Sequence, residues 1–256
     1  MYRFGFDSKE QIYKYFPLKY LLDMLQNQTM CVGRVSSWED VYENFFLKQQ
    51  FVYEGNIIPS ECLNQYFSGF FGQSWTSCRS SDAMWRIYSN AVNKEHCSWK
   101  SLQETAVRIS TTPRMLYDAL SSSQESKGLG FEMHEVEYVK QDEMEQWLVD
   151  IQPIKQTNMA ELIIESLFMK REDFQHEQEV RLFVHVESNR EDCNVSMLRF
   201  KINPQHILTE YVLDPRLDNQ QCECIKGMIA SCGVDERLIR QSMLYMLNKK
   251  KIKVES

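Results

Sequence analysis

The stretch FQHEQEVRLFVHV, residues 174–186, alternates two kinds of side chain. Read as a β-strand, it presents Gln178, Val180, Leu182, Val184 and Val186 on one face. Glu177, Glu179, Arg181, Phe183 and His185 fall on the other, because successive residues of a strand point to opposite sides. The first face reads as core. Two readings of the second are open. It is a solvated sheet face whose opposite charges offset one another in surface pairs worth at most about 1 kcal/mol, or it is a row lining a cleft. Neighbours on one face lie ~6.5–7 Å apart, close enough for Glu179 to hold Arg181 or for two carboxylates to flank one ligand. Glu-x-Glu on a strand suits two tasks: orienting a ribose hydroxyl while stabilising an oxocarbenium-like centre, or holding a divalent cation through oxygen ligands.

Outward from this strand, β-branched and aromatic content with period-two patterning predicts further strands at 29–36, 70–77, 105–110, 131–139, 196–202 and 207–213. Helices are predicted at 17–27, 38–52, 80–91, 112–121, 141–149, 158–169 and 218–232. The first opens on Pro17 and repeats Leu18, Leu21, Leu22 and Leu25 at helical spacing. Polar segments at 121–130 and 187–194 read as loops, and the charged tail NKKKIKVES as a frayed end. Early strands alternate with helices while later ones cluster, so the expected class is α+β with mixed, mainly antiparallel sheets and flanking helices.

The chain has 256 residues, which suits a single domain over 1–256. Its formal charge of −7 supplies no basic field for nucleic acid, which is therefore not a favoured partner. No apolar run approaches the roughly 20 residues that span a bilayer, and the first residues lack a signal-peptide core, so a cytoplasmic protein is expected. The eight cysteines are scattered without zinc-knuckle spacing. None of the five histidines sits in a HExxH pattern, and no Gly-x-Ser-x-Gly, Gly-x-Gly-x-x-Gly or Gly-x-x-x-x-Gly-Lys occurs. Zinc hydrolase, nucleophile-elbow, Rossmann and P-loop chemistries are thus disfavoured.

Four segments in order carry a resemblance. They are YKYFPLKYLLDML (13–25); MCVGRVSSWEDVYE (30–43) with Trp38, Asp40 and Glu43; SWTSCRSSDAMWRIYSN (74–90) with Met84, Trp85 and Tyr88; and KREDFQHEQEVRL (170–182) with Lys170, Phe174, Glu177, Glu179 and Arg181. Together with the closing strand and helix, they resemble a bacterial family labelled domain of unknown function 2971, over roughly residues 13–245. Glu39, Val41 and Trp75-Thr76 depart from the family pattern. The order of elements is also similar, more distantly, to the ADP-ribosyltransferase-like fold, in which NAD lies in a cleft between two small sheets.

That likeness implies an NAD-using transferase or NAD glycohydrolase, a toxin or anti-phage defence effector, with NAD as substrate, an unknown acceptor, a protein partner such as an antitoxin, and no metal. Cleaving the nicotinamide–ribose bond develops positive charge on the sugar, which calls for a carboxylate, an aromatic to stack the departing ring and donors for the diphosphate. Glu179 and Glu177 are the catalytic candidates; Tyr13, Tyr15, Trp85 and Tyr88 could stack; Arg34, Ser36, Arg108, Ser110 and Arg181 could meet the rest of NAD. Each has a plainer role: Trp85 and Tyr88 as a core stripe on a helix, Arg108 and Ser110 as a solvent-facing pair, Ser36 and Ser37 as helix caps. Two other functions stay open. One is a magnesium-dependent nuclease or phosphoesterase in which Glu177 and Glu179, with Asp40 or Glu43, hold the ion and Lys170 supports the phosphate. The other is a non-catalytic sensor or partner-binding module.

Overall fold

The computed structural model describes residues 2–4, 9–38, 40, 42–89, 98–187, 195–247, 249–250 and 252. Glu39, Val41, His96, Cys97 and Cys193, most of the predicted loop at 187–194 and the last four residues lie outside them. The strands are β1 (Tyr2–Phe4), β2 (Ile12–Pro17), β3 (Thr29–Arg34), β4 (Val52–Tyr53), β5 (Asn56–Ile57), β6 (Phe70–Thr76), β7 (Ala106–Thr111), β8 (Gly130–Glu135), β9 (Glu137–Val139), β10 (Met169–Arg171), β11 (Glu179–His185), β12 (Met197–Lys201), β13 (Glu210–Leu213) and β14 (Ile239–Gln241). The helices are α1 (Leu18–Asn27), α2 (Ser60–Phe67), α3 (Asp82–Tyr88), α4 (Trp99–Gln103), α5 (Pro113–Ser121), α6 (Gln141–Asp150), α7 (Met159–Leu167), α8 (Pro204–Ile207) and α9 (Asn219–Ser231). None of the described helices is long and apolar enough to cross a membrane.

Among the described residues ten strands join in one mixed sheet, in the order β1-β8-β11-β6-β2-β7-β13-β14, with β3 and β12 branching from β6. Only β1·β8 and β13·β14 are parallel within it. The class is therefore α+β with a mainly antiparallel sheet, as the pattern predicts. The branch matters most. Along one edge β6 pairs with β11 throughout, from Phe70 to Thr76. Along the other it changes partner: Phe71 and Gly72 face Arg34 and Gly33 of β3, whereas Thr76 faces Tyr13 of β2. Residues 73–75 fall between the two partners, and the sheet forks there into two wings.

Two layers of helix and turn cover the sheet. α1, α5 and α9 bury Leu21, Leu116 and Ile225 in one apolar cluster with Val180, Leu182 and Val184 of β11. On the opposite side α7 packs Ile163 and Leu167 with Phe46, Phe70 and Phe183. β11 is thus buried on both faces, and the solvated reading of its charged face is overturned: Glu179 is 3% exposed and Arg181 0%. His185, at the far end, is exposed and lies on the Phe70 ring at 4.8 Å.

Three expectations need correction. Glu177 is not on the strand but ends a 3-10 turn over Glu172–Glu177, after which Gln178 adopts a left-handed φ of 43° and re-aims the chain into β11. The predicted helix at 38–52 is instead a set of turns with a 3-10 turn at Phe46–Lys48 and the start of the β4–β5 hairpin. A regular helix buries one stripe, whereas here adjacent Phe45 and Phe46 enter different clusters and Asn44 donates to the Val35 carbonyl at 3.1 Å. The single strand predicted at 131–139 breaks at Val136, where the backbone leaves β11 and pairs in parallel with β10. That switch seats Lys170 of β10 beside Glu179.

Candidate functional site

Five charged side chains meet below the fork. Lys170 Nζ lies 2.7 Å from Glu177, 3.0 Å from Glu179 and 3.0 Å from Glu43. Arg181 donates from Nε to Glu179 at 2.7 Å, from Nη2 to Glu43 and Glu179 at 2.9 Å each, and from Nη1 to the Leu167 carbonyl at 2.7 Å. Its guanidinium lies 5.0 Å from the Trp38 ring centre. The backbone N–H of Glu179 donates to the Tyr138 hydroxyl at 2.7 Å. Such a cluster is tolerable beneath the surface because the Lys170 ammonium, every nitrogen of Arg181 and both Glu179 oxygens have partners.

The electrostatics follow from this geometry. Burial alone would raise the Glu179 carboxyl, but Arg181 and then Lys170 outweigh it and hold the group at about 2. Burial likewise opposes the charge on Lys170, yet Glu179, Glu43 and Glu177 raise it above the ordinary lysine range. Burial, with Glu177 and Glu179 close by, pushes Tyr88 up to about 12. All three keep one protonation state at neutral pH. Counted over these five side chains, three carboxylates against two cations leave one negative charge in excess; the Lys14 ammonium, which Glu179 favours, stands outside the count across the small recess beside Ser74.

A cavity of about 380 Å³ opens on this cluster. Glu43, Glu177, Glu179 and Lys170 form its charged wall, and Trp38, Tyr88 and Phe174 form its aromatic wall. A second cavity of about 490 Å³ continues through Trp38, Ser74 and Tyr88 and is lined further on by Lys14, Tyr20, Cys31 and Arg199. The cleft thus lies where β6 loses its ladder partner. Ser74 belongs to the gap, and its carbonyl accepts from Lys14 Nζ at 2.6 Å. Trp38 reaches the junction because Gly72 leaves room: a Cβ there would meet Trp38 Cζ2 at 2.6 Å.

The structure brings Glu177, Glu179 and Tyr88 together in the first cavity, with Arg181 directly behind it. Tyr13 and Tyr15 line a small recess of about 20 Å³ beside Ser74 and Glu179. Trp85 is buried in the core with its ring edge-on to Tyr15 at 4.9 Å. The remaining candidates are elsewhere. Arg34 donates to the Ser68 and Val195 carbonyls at 2.5 and 2.6 Å and covers the Phe71 ring. Ser36 is exposed beside a separate cavity. Arg108 pairs with Glu210 and covers the Tyr13 ring at 4.9 Å, so it is buried and not solvent-facing. Ser110 is also buried and shares a 2.8 Å hydrogen bond with Thr209.

Lys14 is the cleft residue that pattern reading passes over. The available signal was its place between Tyr13 and Tyr15 in an otherwise apolar run, where a lone ammonium needs a reason to be. Glu43 and Lys170 were weighed only as parts of a metal or phosphate site. In the structure the carboxylates of Glu43, Glu177 and Glu179 converge on the Lys170 ammonium, which fills the place a divalent cation would need. Among the described residues no cluster of acidic, histidine or cysteine side chains is arranged to hold a metal ion.

No family model matches the chain, so the resemblance to domain of unknown function 2971 rests on the residues quoted above alone. No curated protein matches it either. Among solved structures the chain is similar to Thermus sp. 2.9 DarT in complex with NAD+, at 10% identity and a TM-score of 0.39, covering 93% of this chain and 98% of that one. It is similar also to Thermus sp. 2.9 DarT in complex with ADP-ribosylated ssDNA, at 10% identity and 0.39, covering 94% and 98%. A likeness this slight transfers neither fold nor chemistry to the chain.

Proposed function

We propose that this chain is an NAD-using enzyme of the ADP-ribosyltransferase-like or NAD glycohydrolase kind, working in the forked-sheet cleft. The observation that carries the proposal is the make-up of the first cavity. Its aromatic wall of Trp38, Tyr88 and Phe174 faces a carboxylate cluster with one negative charge in excess. Aromatic faces together with net negative charge suit an organic cation, and the pyridinium ring of NAD is one. When its bond to ribose breaks, positive charge moves from ring to sugar. A fixed negative field gains most from the charge that develops there.

The two carboxylates have different parts. Glu179, held by Arg181 and Lys170, is pre-oriented and permanently ionised; it supplies the field. Glu177 is 20% exposed and its only ion-pair partner among the described residues is Lys170, so it is the carboxylate free to accept from a ribose hydroxyl. The second cavity, with Arg199 on its wall, leaves room for the anionic remainder of the dinucleotide. A role as toxin or defence effector, with an acceptor and an antitoxin-like partner, belongs to the same proposal. The magnesium-nuclease alternative is weakened by the ammonium of Lys170 at the focus of the carboxylates.

The test is nicotinamide release from NAD by the purified protein and by Glu179→Gln. The substitution keeps shape but removes the charge, and a drop of 10²-fold or more is expected, as for loss of one pre-organised electrostatic group. Equal release by the two proteins would remove Glu179 from the chemistry. No release from the parent protein would end the NAD reading.

A further inference from the structure

Lys14 and Lys170 both face the cleft, but their surroundings are opposite. Lys170 is gripped by three carboxylates. Lys14, half-buried on β2, makes a 2.6 Å hydrogen bond to the Ser74 carbonyl, and among the described residues no carboxylate pairs with it. It lines the second cavity and also the small recess that holds Glu177 and Glu179. We propose that Lys14 is a ribosyl acceptor built into the cleft, its amine taking the anomeric carbon of the sugar that the neighbouring carboxylates activate. The inference rests on the NAD reading above.

The chemistry of the group supports this. Burial lowers Lys14 to about 8, although Glu179 pulls it the other way. Roughly a tenth of it is then the neutral, nucleophilic amine at pH 7, far more than for an ordinary lysine. Lys170, raised by its partners, has no such fraction. In the transfer step the Nζ–anomeric carbon bond forms as the bond from that carbon to the pyridinium nitrogen breaks. The electron pair of the broken bond leaves with neutral nicotinamide, and the new secondary ammonium releases one proton to Glu177 or solvent. Nothing is oxidised or reduced. The charged and titratable groups around the amine are Glu177, Glu179, Tyr13, Tyr15 and Tyr88 on one side and Tyr20, Asp23, Cys31 and Arg199 on the other. Glu179 and Tyr88 do not titrate near pH 8.

Two arms test the proposal, both read by peptide mapping in a mass spectrometer. In the first, the full chain is incubated with NAD at pH 7 and pH 9 while nicotinamide release is followed in the same samples. An adduct of one ADP-ribose on Lys14 is expected, with its initial rate about tenfold higher at pH 9, as the neutral fraction rises through a value near 8. Lys14→Arg, checked for folding by thermal melting, should lose it. In the second arm free ADP-ribose, whose open-chain aldehyde condenses with an amine, is trapped with cyanoborohydride; this needs no glycosidic cleavage. Marking of Lys14 in both arms supports the proposal. Nicotinamide release with Lys14 unmarked in both overturns it and leaves the NAD-cleaving function standing. Trapping on Lys14 without nicotinamide release shows a reactive amine but overturns both the function and the transfer built on it.

Discussion

Arg181 and Arg108 are both strand arginines buried inside the sheet, yet they sit in different kinds of surroundings. Arg181 has every nitrogen occupied, by Glu179, Glu43 and a carbonyl, and an open cavity lies just in front of it. Arg108, on the wing that β2 begins, pairs with Glu210 and the Arg79 carbonyl, and its buried Nε has no acceptor among the described residues. Glu210 is itself shared with Arg240, which is half exposed. One arginine is the keystone of a closed network beside a cleft. The other ties two strands together near the surface. A buried charge on a strand therefore does not identify a site; space in front of it does.

The comparison can be broken by substitution. Arg181→Ala should destabilise the fold by about 3–5 kcal/mol, because it leaves Glu179 with half its compensation in a dry environment. Arg108→Ala should reduce stability by only about 1–2 kcal/mol, since Glu210 keeps Arg240 as a partner. Chemical denaturation of the two variants checks the ranking, and equal losses would show that the two arginines are held alike. Acid sharpens the same contrast. The Glu179 carboxyl is lowered to about 2 in the folded chain from its ordinary 4.5. Its contribution, on the order of 3 kcal/mol, is fully present above pH 4.5 and disappears as pH falls towards 2. A stability–pH titration of Glu179→Gln should lack that segment.

The smallest effect belongs to Gln178, whose left-handed backbone joins Glu177 to Glu179. Glycine there relieves about 1–2 kcal/mol of strain but adds about 0.4–1 kcal/mol of unfolded-state entropy. Gln178→Gly should therefore gain roughly 0.5 kcal/mol, measurable as a small rise in melting temperature. A loss instead would mean that the side chain of Gln178 helps to hold the turn.

Periodicity exposed the apolar side of β11 and the face of α1 because each is set by neighbours a few positions away in sequence. It also placed Glu179 and Arg181 on one face, which is what pairs them. What periodicity could not show is what covers that face. The layer comes from α7 and the Phe46 turn, far off in sequence, so solvated and buried rows read alike until tertiary structure distinguishes them. Glu177 was misplaced for a local reason: one positive φ at a non-glycine residue leaves no mark in an alternating pattern. Lys14 was missed because its role depends on where β6 changes partners, a relation among four strands drawn from across the chain.

The change of partner along β6 has a mechanical side. Across residues 73–75 the wings are linked by contacts such as Lys14 to the Ser74 carbonyl and Gln73 to the Cys31 carbonyl at 3.0 Å, not by a ladder. The aperture is accordingly set by side chains, and exchanging one of them alters its width without unzipping either half.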